Sequence, residues 1–171
     1  MNNSQTATML LVGIVPGHFE AVVSQARTFA ELWGAGILFA NVDAARYSFV
    51  DSMDGSLVGM PLDPEVFDPA ELRFDSEMRR RIGEIMLGSP SSWDVREVAG
   101  DPATELGKLA EELDAVAIVV GTREPGFVAT MQEFFTGSVA VRLAHHQRRP
   151  VIVIPLAPVG SDQPWPWDEG A

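Results

Sequence analysis

Short apolar runs alternate along this sequence with segments of helical periodicity, and the alternation predicts a fold class. TMLLVGIV (8–15) is a continuous apolar run ending at Pro16-Gly17, the pattern of a strand buried on both faces. From Glu20 onward Val22, Ala26, Phe29, Ala30 and Trp33 recur at helical spacing, with Gly34 as a C-terminal stop. GILFANV (36–42) is again short, apolar and flanked by glycine, so the chain opens with a βαβ unit. Residues 43–68 break the pattern with Gly, Pro, Ser and acids such as Asp51, Asp54 and Asp63, which predicts a long solvated loop. The spacing of Asp51 and Asp54 does not match the alternate-residue oxygens of an EF-hand.

A second helix is predicted from Pro69 to about Leu87, with Phe74, Met78, Ile82 and Ile85 inward, Arg79, Arg80 and Arg81 mostly outward, and Gly88 and Pro90 ending it. WDVREV (93–98) alternates apolar and charged residues, as a less buried strand does. It leads to Gly100-Asp101-Pro102, where Asp101 is placed to cap a third helix and Pro102 occupies its first position without cost. Leu106, Leu109, Ala110 and Leu113 form that helix's buried stripe. VAIVVG (116–121) is fully apolar and rich in β-branched residues, which predicts a central strand. A glycine-bearing loop follows, then a helix through Val139, Leu143 and His146, then PVIVIP (150–155), whose flanking prolines suit an edge or interface strand. Five strands alternating with four helical segments predict an α/β fold: a five-stranded parallel sheet with helices on both faces. Residues 1–156 read as one domain and 157–171 as a Pro-rich tail carrying Trp165 and Trp167.

Composition narrows the function classes. The chain has 171 residues, 46% hydrophobic and 21% charged, the make-up of one packed domain. No apolar run approaches the roughly 20 residues of a membrane span, and MNNSQTATMLLVGIV lacks the basic start and cleavage site of a secretory signal, so a cytoplasmic protein is expected. The absence of cysteine excludes disulfides, thiolate metal sites and thiol nucleophiles. A net charge of −12 opposes phosphate backbones, which sets nucleic acid aside as a partner.

In an open parallel sheet, ligands bind outside the carboxyl ends of the strands, near the point where strand order reverses. Three loops qualify: Val15-Pro16-Gly17 after the first strand, Val42-Asp43 after the second, and Gly121 to Ser138 after the fourth. Gly137-Ser138-Val139 stands at the start of the last helix, where free N–H groups and the helix dipole favour a phosphate; Ser138 serves equally as a plain helix cap. Catalysis finds little support. Ser138 and His145 share a helix face but stand about 10 Å apart along the axis, too far for a nucleophile and its base. His145 and His146 point two ways round that helix, and the only lysine, Lys108, belongs to the third helix and not to a Walker loop. No metal site is expected.

GDPATELGKLAEELDAVAIVVGTRE (100–124), followed by GSVAVRLAHHQRRPVIVIP (137–155), resembles the universal stress protein family in order and residue type. The quoted features are Gly-Asp-Pro-Ala before the third helix, Asp114 before the fourth strand, Gly-Ser-Val, and Arg-Pro-Val leading into the last strand. The resemblance implies an adenine nucleotide alpha hydrolase-like, Rossmann-type three-layer sandwich that dimerises through its last strand, residues 150–155 here. Trp165 and Trp167 then either pack across that interface or stay disordered. The family has ATP-binding and non-binding members. In the binding kind, a Gly, two residues, a second Gly, nine residues and then Gly-Ser or Gly-Thr hold the phosphates. Gly121, Gly137, Ser138 and Val139 match, but Glu124 stands where the second glycine belongs, Gly126 comes too late, and the interval from Gly121 to Gly137 is three residues too long. An aspartate after the first strand contacts the nucleoside in binding members; here Val15 or Pro16 stands there. Val42 matches the apolar position that packs on the base, and Arg123 either meets phosphate, pairs with Glu124 or faces solvent. ATP is the cofactor the resemblance names. The altered loop favours a dimeric, non-enzymatic stress-response module with weak or no ATP binding; the alternative is an adenine-nucleotide sensor on the same fold.

Overall fold

The computed structural model describes residues 8–43, 48–50, 57–59, 74–122 and 139–156. Strand β1 (Met9–Ile14) is apolar throughout because both of its faces are covered. Leu10, Val12 and Ile14 point into one core layer and Leu11 into the other, as the two-residue period of a strand requires. Helix α1 (Glu20–Trp33) buries Val22, Val23, Ala26 and Ala30. It stops at Gly34, whose φ of 61° lets its N–H close on the carbonyl of Ala30. Trp33, an apolar position of the predicted stripe, is instead 45% exposed and stacks on Phe29.

Strand β2 (Gly36–Asp43) follows, and within the predicted loop of residues 43–68 stand two short antiparallel strands, β3 (Ser48–Val50) and β4 (Leu57–Gly59). Three-residue strands fall below the length at which alternation is visible in a sequence. Helix α2 (Ser76–Ile85) begins at Asp75, whose carboxylate accepts the Met78 N–H at 2.7 Å; Phe74, read as helical from the pattern, precedes the cap. The three arginines do face outward, Arg80 pairing with Glu77 and Glu84, and Arg79 lying over the Trp93 ring at 5.6 Å. Strand β5 (Trp93–Ala99) leads into α3 (Pro102–Glu112), then β6 (Ala117–Gly121), α4 (Val139–His146) and β7 (Val151–Ile154).

The main sheet has the order β5-β2-β1-β6-β7, every neighbouring pair parallel. β6 is thus interior but one place from the centre, which belongs to β1, and β7 is an edge among the described residues. One core layer joins the sheet to α1 and α2 through Phe39, Val23, Ala26 and Ile82; the other joins it to α3 and α4 through Leu11, Ile118, Leu106 and Leu143. Each fully buried Val, Leu, Ile or Phe side chain contributes roughly 1.5–3 kcal/mol by leaving water, so the two layers hold the strands' carboxyl ends in fixed positions.

Candidate nucleotide crevice

Strand order runs outward from β1 to β2 and β5 on one side and to β6 and β7 on the other, so the reversal point is the gap between the carboxyl ends of β1 and β6. After β1 the chain turns through Val15, Pro16 and Gly17, all exposed; Val15 is 55% exposed and Gly17 takes a φ of 90°. At the end of β2, Val42 is half-buried against the core layer under α3, and the Asp43 carbonyl accepts the Gly100 N–H at 3.2 Å, tying β2 to the turn after β5. Val139 opens α4 and packs on that same layer. Val15, Val42 and Val139 are therefore apolar side chains at or beside the carboxyl ends of the strands.

Gly121 ends β6 in a crowded place. A Cβ there would stand 3.0 Å from Leu156 and 3.0 Å from Val22, so the absent side chain accommodates packing between α1 and the segment after β7. Thr122 reinforces that junction: its N–H reaches the Ile154 carbonyl at 2.8 Å and its hydroxyl accepts the Leu156 N–H at 2.9 Å. Arg123, Gly126, Gly137 and Ser138, with Glu124, lie outside the described residues; of the predicted set, Val15, Pro16, Val42 and Gly121 stand at or just after the carboxyl ends of β1, β2 and β6, and Val139 at the start of α4.

Charge on this rim is engaged in holding it together. The Asp101 carboxylate accepts the Thr104 N–H at 3.0 Å as the cap of α3 and also takes both ends of the Arg142 guanidinium, at 2.5 and 2.7 Å. Burial pushes the Asp101 carboxyl up, and the hydrogen bonds from Arg142 and Thr104 outweigh it, leaving it below its ordinary value. Arg142 escaped the sequence reading because its partner is 41 residues away; its one signal was a cation in the first turn of a helix that opens Val-Ala-Val. At the opposite end, Arg149 donates to the Ala115 carbonyl at 2.7 Å and to Asp114 at 3.1 Å, and Asp114 turns the chain into β6 with a φ of 48°. An apolar hollow of about 440 Å³ at that amino end is lined by Thr8, Trp33, Val116, Ala117, Pro150 and Ile152, chemistry unsuited to a phosphate.

A parallel sheet with helices on both faces and a crevice at the strand-order reversal defines a Rossmann-like α/β protein. Within that class the chain belongs to the universal stress protein family, whose sequence model matches residues 20–155. A universal stress protein solved in complex with cAMP is 20% identical over 88% of this chain and 98% of its own, with a TM-score of 0.58. The universal stress protein of Archaeoglobus fulgidus in complex with dAMP is 20% identical over 87% of this chain and 98% of its own, with a TM-score of 0.55. That of Lactobacillus plantarum is 22% identical over 86% and 97%, with a TM-score of 0.60. At such identities the likeness establishes the fold. No curated protein matches the sequence significantly.

Proposed function

We propose that this protein is a non-catalytic, homodimeric universal stress protein of the cytoplasm whose crevice has little or no affinity for adenine nucleotide. The observation that carries the reading is the apolar rim after β1: Val15, 55% exposed, or Pro16 stands where the family resemblance implies an aspartate in nucleotide-binding members. A valine offers no acceptor to a nucleoside hydroxyl, and a hydroxyl buried without a partner costs about 1–3 kcal/mol. In the sequence, Glu124 stands where the resemblance implies a glycine of the phosphate loop, and an acidic side chain is a like charge to a triphosphate. Dimerisation is supported by the position of β7 at the edge of the sheet among the described residues and by Val153, which is 44% exposed. No helix among the described residues is long and apolar enough to cross a membrane.

A second reading, an adenine-nucleotide sensor, is favoured by the half-buried Val42 at the end of β2 and by the neighbours solved with cAMP and dAMP. Thermal-shift titration separates the two. A ligand at a thousandfold excess over its Kd stabilises by about 4 kcal/mol, which moves the midpoint visibly. The first reading expects a flat midpoint with millimolar ATP and magnesium, cAMP or dAMP; a saturating rise with any of them supports the sensor. Turnover of ATP that disappears in Ser138→Ala would overturn the non-catalytic part.

A further inference from the structure

Neighbouring elements of one core layer are seated in the fold differently. Helix α3 buries Ala103, Leu106, Leu109 and Ala110, and the strand it leads into, β6, buries Ala117, Ile118, Val119 and Val120. Helix α4 buries Leu143 and β7 buries Ile154, with Val139, Ala140 and Val151 half-buried. Apolar burial is the main force holding an element to its domain, so residues 139–156 are joined to the rest by a small part of the core.

Polar contacts supply the remaining attachment, and they stand at the two ends of α4. In its first turn, Arg142 reaches the Asp101 carboxylate with both terminal guanidinium nitrogens, at 2.5 and 2.7 Å. Just past its last turn, Arg149 donates to the Ala115 carbonyl at 2.7 Å and to Asp114 at 3.1 Å. Gln147 steadies that second arginine, donating to its carbonyl and accepting its N–H. Each clamp runs from the α4–β7 segment to an element outside it, the start of α3 or the start of β6. Arg142, Asp101 and Asp114 are all partly open to water, where such contacts are individually weak. The ladder to β6 completes the attachment: Ile118 and Thr122 donate to the carbonyls of Pro150 and Ile154 at 2.9 and 2.8 Å.

We propose that residues 139–156 open from the fold as one cooperative unit, latched by the Arg142 and Arg149 clamps, while β1, α1 and β2 stay folded. A segment with little buried apolar surface, whose contacts break together, opens at a lower free energy than the whole domain unfolds. Opening lifts Leu143 from its place beside Leu106 and Ile118 and frees the amides of Ile118 and Thr122. The unit carries both the start of α4 and β7. A ligand at the first and a partner along the second therefore draw on one equilibrium, and each favours the other. The opening stands without either of those sites; the coupling rests on them.

The test is native-state hydrogen exchange on the full chain across a series of low denaturant concentrations. The unit predicts that the amides of Ile118, Thr122 and Leu143 merge onto one line of shallow slope, below the steeper line of Val23 and Ala26 in α1. Arg142→Ala should then speed exchange at Ile118, Thr122 and Leu143 about tenfold and leave Val23 and Ala26 unmoved. Arg142→Lys, which keeps the charge and loses the fork, should fall between. Ile118 and Thr122 exchanging on the line of Val23 and Ala26, or apart from Leu143, overturns the unit in the wild-type chain alone. Arg142→Ala that speeds every one of these amides equally, or none of them, overturns the latch.

Discussion

The residues that match or depart from the family pattern fall into two groups that the structure treats differently. Asp101, Asp114 and Arg149 are each engaged by named partners: Asp101 caps α3 and clamps Arg142 of α4, while Asp114 and Arg149 bridge the starts of β6 and β7. Val15, Val42 and Val139, among the positions the resemblance assigns to a nucleotide, have no polar side-chain atom to offer and either face solvent or pack on the core. A sequence retains the first group as long as the fold must stand. The second answers to a ligand, and an apolar rim fits a protein in which that demand is weak.

If this division is right, substitutions in the first group should cost stability and those in the second should not. Asp101→Ala removes the cap of α3 and leaves the half-buried Arg142 without its carboxylate; chemical denaturation should show a loss of about 2 kcal/mol. A loss under about 0.5 kcal/mol would mean that the clamp is ornamental. Gly100→Ala comes next. Gly100 holds a φ of 141°, and an added Cβ would stand 2.8 Å from the Glu105 side chain, so about 1–2 kcal/mol should be lost, mostly to backbone strain. Wild-type stability from Gly100→Ala would place that turn outside the group.

Acid should reveal the clamp in a different way. A carboxyl held below its ordinary value stabilises the fold at every pH above its unfolded value of about 3.9, and the contribution fades as falling pH protonates the folded group. The stability gap between wild type and Asp101→Asn should hold from neutral pH to about pH 4 and narrow below it. A gap that widens in acid would reverse the assigned sign. Smallest in stability is Val15→Asp. At a site 55% exposed it should change unfolding by less than about 0.5 kcal/mol. Any gain in ATP response from it would identify the position as the missing contact.

The clearest signals in the sequence were local. Asp101-Pro102 marked the start of α3, Gly34 the end of α1, and the unbroken apolar runs marked β1 and β6, because caps, αL stops and strand burial each act through residues close in the chain. Order was legible as well, since alternating strands and helices leave few sheets to build. What escaped is nonlocal. The Arg142–Asp101 and Thr122–Leu156 contacts join residues 41 and 34 positions apart, and no spacing rule announces them. The late start of α2 came from an N-cap at Asp75, which competed with an apolar pattern that ran on through Phe74. Trp33 kept the helical period yet sits 45% exposed at the last turn of α1, where the helix overhangs the sheet's amino end. For the crevice itself, the departures at Val15 and Glu124 were visible as residues, while the packing of Leu156 and Val22 around Gly121 was not.

The proposal that the crevice has little or no affinity for adenine nucleotide is tested most directly by titration calorimetry of the wild-type chain with ATP and magnesium. The account predicts no saturable heat at ligand concentrations up to about 1 mM, a binding free energy no better than about −4 kcal/mol. A saturable isotherm with a micromolar Kd would contradict it and make the protein a nucleotide sensor.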